Sequence, residues 1–134
     1  MPELPLSEAI GWVGAPLADL EGEALGEVRS VYIDSTDHHP TWLVAKLPGG
    51  RRGRGARIVP VPVYMCAGAA GVGVWAAIDG SRLRGAPVVD PTRPLLREHE
   101  LTICEHYGIT GELGRAASVA EIAAGAITAI PPRG

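Results

Sequence analysis

The sequence predicts a mainly β fold: a small barrel of about five to six strands, followed by one or two C-terminal helices. Three observations carry this. Gly (18) and Pro (12) fill more than a fifth of the 134 positions, which excludes a helical bundle or a long coiled coil. The apolar runs are short, alternate with polar residues, and are separated by Gly- or Pro-containing turns. There is no Phe, so a core must be built from Val, Leu, Ile and three Trp. Apolar residues at 46% against 20% charged exclude general disorder.

Taken in order, Ile10 to Leu17 reads as a first strand, and Asp19-Leu20-Glu21-Gly22 as a turn. Ala24 to Asp34 is a second strand. Its apolar positions change phase near Arg29-Ser30, which predicts a bulge. Thr41 to Leu47 is a third strand, and Pro48 to Gly55 an exposed loop. Arg57 to Val63 is a fourth strand. Pro60 and Pro62 remove two N–H groups from one side of it, so it belongs at an edge or corner. Val72 to Ile78 is a fifth strand, and Ser81 to Gly85 a turn.

After Asp90 the pattern becomes helical. Leu95 to Tyr107 predicts a helix stopped by Gly108, with Leu96, His99, Ile103 and Tyr107 as its docking stripe. Ser118 to Glu121 fits a capping box, predicting a last helix from Val119 to about Ile130. That helix lacks a polar face and needs a surface to cover it. The division expected is a barrel domain over 8–90 and a helical extension over 91–134.

Net charge is −3 and the isoelectric point about 5.8, which argues against a generic polyanion binder. The N-terminus shows no cationic stretch followed by an apolar core. A cytoplasmic location with Cys66 and Cys104 reduced is therefore expected. The 21 residues Ile58 to Ile78 carry no charge. They are long enough to span a bilayer. Their prolines, glycines and absent Leu favour strands joined by a Gly/Ala turn, so no membrane span is expected.

The stretch Gly14-Ala15-Pro16-Leu17, then Asp19 to Val28, then Val31-Tyr32-Ile33-Asp34, resembles the opening of a PRC-barrel domain. Trp42 to Leu47, the Val-Pro-Val-Pro strand from Val59, and Gly85-Ala86-Pro87 follow in the family's order, over about residues 8–90. Glu100-Leu101 and His106-Tyr107-Gly108 resemble the tail of stand-alone bacterial members. The resemblance implies a small β-barrel serving as an adaptor for binding and assembly. The same domain type occurs in the H subunit of photosynthetic reaction centres and in a ribosome maturation factor. The family carries no shared catalytic residues, so the resemblance implies no enzyme, cofactor or small-molecule substrate. In the opening motif, Gly22 permits the turn and Gly26 lets a strand bend or another backbone approach closely.

Several clusters bear chemistry. Asp34, Asp37, His38 and His39 share one turn and could supply metal ligands, although adjacent His side chains in extended chain diverge. His99, Glu100, Cys104, Glu105 and His106 crowd one helix. His99 and His106 lie roughly 10 Å apart along its axis, too far for one ion. Arg51, Arg52, Arg54 and Arg57 put four guanidiniums on one loop. They could contact phosphate, with RNA as a target, yet no aromatic lies within the loop for base stacking. Gly71-Val72-Gly73-Val74-Trp75 lacks the third Gly and the Lys of a nucleotide loop. Ser30, Ser35, Ser81 and Ser118 lie in no nucleophile-elbow context.

The expectation is thus a non-enzymatic protein–protein interaction module, a homodimer, with no cofactor and no metal. An incompletely paired sheet edge or the last helix would cover a second copy, with Val119, Ile122, Ile127 and Ile130 as contact residues. The alternative is an RNA- or ribosome-associated factor acting through the 51–57 loop.

Overall fold

The computed structural model describes residues 5–34, 39–49, 55–91, 93, 95–109, 119–123 and 126–128. The chain opens with a helix, not with the strand expected from Ile10. α1 (Leu6–Gly11) starts after Pro5, whose carbonyl accepts the N–H groups of Glu8 and Ala9, both at 3.1 Å. Leu6, Ala9 and Ile10 fall at i, i+3, i+4 and pack on the core, a spacing that suits a helix better than a strand. The strand is confined to β1 (Pro16–Ala18).

The remaining strands are β2 (Ala24–Asp34), β3 (Pro40–Leu47), β4 (Arg57–Pro62), β5 (Cys66–Ala69) and β6 (Gly73–Ala76). They lie in the order β4-β3-β2-β1-β6-β5. β1 and β6 run parallel and the other neighbours antiparallel, so the sheet is mixed. Its two end strands, β4 and β5, do not pair with each other among the described residues. The uncharged stretch 58–78 is therefore strand β4, a single 3-10 turn (Val63–Met65), and the hairpin β5–β6. β5 was absent from the sequence expectation, because Cys-Ala-Gly-Ala has almost no strand propensity of its own. Among the described residues no helix is long and apolar enough to cross a membrane.

β2 organises the sheet. Its register against β3 slips between Val28 and Ser30, the bulge expected at Arg29. Before the bulge Leu25 and Val28 face the core; after it Ser30 through Ile33 are all buried. The first half of β2 pairs with β1, from Ala24 to Glu27. Along the same edge its second half, Ser30 to Asp34, pairs with a later strand, β7 (Val119–Ala123), which pairs in turn with β8 (Ala126–Thr128). This corrects the C-terminal helix expected over Val119–Ile130. A helix with one charge and no polar face gains little from being helical. The β-branched Val119, Ile122 and Ile127 instead extend a sheet whose edge offers unused hydrogen bonds.

Among the described residues there are two further helices, α2 (Gly80–Arg84) and α3 (Arg97–Tyr107). Asp79 caps α2, accepting the Ser81 N–H at 3.0 Å, and that bond, with the Ser81 hydroxyl, holds the Asp79 carboxyl below its ordinary pKa. α3 ends at Gly108, whose φ of +70° is the left-handed stop expected there.

The core centres on Trp42, Trp12, Tyr32, Leu17, Leu43 and Val31. Trp75 is 45% exposed, so the core holds two of the three tryptophans, not all three. Between β1 and β2, Asp19 Oδ1 accepts the N–H groups of Glu21 and Glu23, each at 2.9 Å, and Gly22 sits at φ +82°. Gly26 is required for a different reason. A Cβ there would run into the carbonyl of Lys46 on β3 and reach 3.1 Å from Leu47 Cα. Gly26→Ala is therefore expected to lower stability by about 1–3 kcal/mol, through displaced backbone rather than lost contacts. Urea unfolding of the variant beside Ala24→Gly, at an exposed position of the same strand, measures this.

Candidate protein interface

The sheet edge at β4 is closed chemically. Trp42↔Pro62 and Val44↔Pro60 are paired across β3 and β4. Proline cannot donate, so these are the non-hydrogen-bonded pairs, and the carbonyls of Ile58, Pro60 and Pro62 point away from β3. Each finds a donor from elsewhere. The Val89 N–H donates to Ile58 at 2.9 Å, the Tyr107 hydroxyl to Pro60 at 2.7 Å, and the Cys66 thiol to Pro62 at 3.4 Å. An incoming strand would meet two missing donors and three occupied acceptors. β4 is an edge strand, as its prolines predict, and it has no room to bind a partner by strand addition.

α3 lies over this edge. Its buried face is Glu100, Ile103, Cys104 and Tyr107. The stripe expected from the sequence used His99 and Leu96; both are exposed, Leu96 at 47%. Glu100 takes the inward position because it has a partner there: its Oε2 accepts the Trp42 indole N–H at 2.9 Å. The helix is thus tied to β3 at one end through Glu100 and to β4 at the other through Tyr107. Burial raises the Tyr107 pKa, and the nearby Cys66 adds to this while Arg82 opposes it. Desolvation pushes the Cys66 thiol from 9.0 up to about 12.

The residues singled out in the sequence are dispersed. Val119 pairs with Asp34 and Ile122 with Val31 on β2, and Ile127 pairs with Ile122. Ile130 lies outside the described residues, as do Arg51, Arg52 and Arg54. Arg57 is a structural tie, its Nη2 donating to the Ala86 carbonyl at 2.7 Å. Asp37 and His38 lie outside the described residues; Asp34 ends β2 and His39 precedes β3. On α3, His106 Nε2 lies 2.8 Å from the Arg82 carbonyl. Among the described residues no three His, Cys, Asp or Glu side chains gather closely enough to hold a metal ion.

One sheet face exposes a large aromatic side chain. On the outer face of β1, β6 and β5, Ala18, Trp75 and Ala67 stand in one row, and Gly73 and Ala69 in the next. Pro16, Ala67 and Ala69 are exposed, and Val72 at the hairpin turn is 65% exposed. Gly73 lies beneath the Trp75 ring, 3.8 Å from the ring to the place a Cβ would occupy. Within β1, β5 and β6 the face is small side chains around a single tryptophan, with the exposed Glu27 of β2 across from Pro16 at its rim. An exposed tryptophan among small side chains makes this face a candidate contact surface. The sequence reading places all three tryptophans in the core; it does not separate Trp75 from Trp12 and Trp42, because strand phase alone does not fix which side of a sheet is covered.

No family model matches the chain, and no curated protein matches it.

Two measurements check the closed edge. Tyr107→Phe leaves the Pro60 carbonyl buried without its donor and is expected to cost about 1–3 kcal/mol in urea unfolding, whereas Tyr64→Phe, at a half-exposed site, changes little. At pH 8 the Cys66 thiol is expected to react with a disulfide reagent about a thousandfold more slowly than in the unfolded chain, from ionisation alone. The unfolded thiol ionises near 9.0 while the folded one stays protonated to about 12, so this group's contribution to stability falls as pH rises above 9.

Proposed function

We propose that this chain is a non-enzymatic interaction and assembly module of the PRC-barrel type, whose partner is protein and foremost a second copy of itself. The carrying observation is the outer face of small side chains around Trp75, exposed at one end of a sheet whose other end is sealed. The segments that resemble the family support the reading by where they fall. Gly14 to Asp34 forms β1, the Gly22 turn and β2; Trp42 to Leu47 lies in β3; Val59 begins the proline pair of β4; Gly85 to Pro87 follows α2. The bulged β2 and the strand path from β4 round to β5 suit a sheet coiled towards a barrel.

The non-enzymatic reading draws on the clefts. Two clefts among the described residues, about 280 and 220 Å³, fall below the roughly 300 Å³ at which ligand pockets usually begin. Tyr32, at the floor of the smaller, spends its hydroxyl on the carbonyls of Asp90 and Arg93 at 3.3 and 3.4 Å. The RNA alternative loses one of its four guanidiniums to the Ala86 carbonyl and rests on Arg51, Arg52 and Arg54 alone.

Sedimentation velocity over a concentration series tests the reading. The full chain is expected to sediment as a dimer at tens of micromolar, with Trp75→Glu raising the dissociation constant at least tenfold, about 1.4 kcal/mol. A chain that stays monomeric throughout rejects self-association.

A further inference from the structure

The edge of β2 beyond its bulge is held differently from every other edge in the sheet. Ser30 to Asp34 carries no proline, and its inner residues Val31, Tyr32 and Ile33 are each at most 1% exposed. Left bare, such an edge invites any extended chain to pair with it. β7 fills it in antiparallel register: Ser30↔Ala123, Val31↔Ile122, Tyr32↔Glu121, Ile33↔Ala120, Asp34↔Val119. The β7–β8 hairpin joins the sheet through this one edge, since β8 pairs only with β7. Nine residues, 110–118, connect it to the end of the α3 region. The ten steps from Ile109 to Val119 reach at most about 35 Å, about the width of a small domain.

We infer that the β2 edge at Ser30–Asp34 is a strand-acceptor site and that its partner is the Val119–Ala123 strand of a second copy. The inference rests on the self-association proposed above and specifies how the two copies are joined. Two chains that trade hairpins remake the same five backbone pairings, so exchange sacrifices none of them. Reciprocal exchange, in which two copies each give one hairpin to the other, closes into a two-fold pair, whereas handing the hairpin on from copy to copy would leave an open chain. Val119 and Ile122 would then be contact residues as strand residues, by register against Asp34 and Val31.

Mixed cross-linking tests this. One chain carries Asp34→Cys and a second, lengthened by a tag, carries Val119→Cys; the two are unfolded together, refolded and oxidised. Paired residues of adjacent strands lie about 4.5–5.5 Å apart at Cα, within disulfide reach. Exchange predicts a disulfide joining a tagged to an untagged chain in roughly half of the dimers, the random share of mixed pairs. The double variant Asp34→Cys/Val119→Cys on one chain reports whether the β2–β7 register forms at all; absence of any disulfide in it overturns the inference. Sedimentation of the same samples separates the remaining outcomes. A dimer without the mixed disulfide overturns exchange and leaves self-association standing. A monomer with an internal disulfide overturns both.

Discussion

Two prolines set the terms for half of this molecule. Pro60 and Pro62 remove two outward donors of β4, while leaving three outward carbonyls that water cannot easily reach once the chain packs there. Those acceptors recruit one donor each: the Val89 N–H, the Tyr107 hydroxyl and the Cys66 thiol. The three donors belong to three different parts of the chain. The first draws the segment after α2 along the edge, the second fixes the end of α3, and the third holds the turn into β5. The same arrangement desolvates Cys66 and Tyr107, which is why both titrate upward. Edge protection, helix docking and the perturbed thiol are one physical event.

The opposite end of α3 depends on a buried carboxylate. Glu100 is 2% exposed and would be an expensive guest in a core without partners. The Trp42 indole N–H gives it one strong bond, and Trp42 in turn escapes the fate of Trp12, whose indole nitrogen is buried without a partner. A buried hydrogen bond contributes about 1 kcal/mol net, and leaving either partner without it costs roughly 1–3 kcal/mol. It also fixes rotation: α3 cannot turn to present His99 inward without stranding Glu100 and Trp42 together.

This explains which parts were legible in the sequence. Features set by backbone geometry were readable, because Gly and Pro state their constraint locally. Gly22 at positive φ, Gly26 against Lys46, the stop at Gly108, the proline edge and the bulge after Val28 all occur where the residues place them. Features set by a distant partner were not. The docking face of α3 depends on an indole fifty-eight residues away. β5 exists because β6 is beside it, and α1 needs the core to reward Leu6, Ala9 and Ile10. The last segment is the clearest case. Its alanines and capping box favour a helix locally, and the open half of β2 overrides them. The outward position of Trp75 was not legible: all three tryptophans read as core, and only the alternation of Leu17 and Val74 inward against Trp75 outward puts this one on the surface.

The two exposed halves of the problem are linked through β2. Its eleven residues exceed what β1 can cover, since β1 supplies three. The bulge at Arg29 lets the strand turn a corner and keep burying side chains, but the corner leaves a second stretch of edge that needs its own strand. A short β1 therefore obliges the chain to bring back a segment from beyond α3, and only main-chain pairing specifies that segment. Main-chain pairing does not distinguish one copy of a sequence from another. The fold thus seals one edge with one main-chain and two side-chain donors and fills another with a tethered hairpin, two different solutions to the same problem. The sealed edge requires Tyr107, Cys66 and Val89 in their places on the same chain, whereas the β2 edge requires only an extended strand in register.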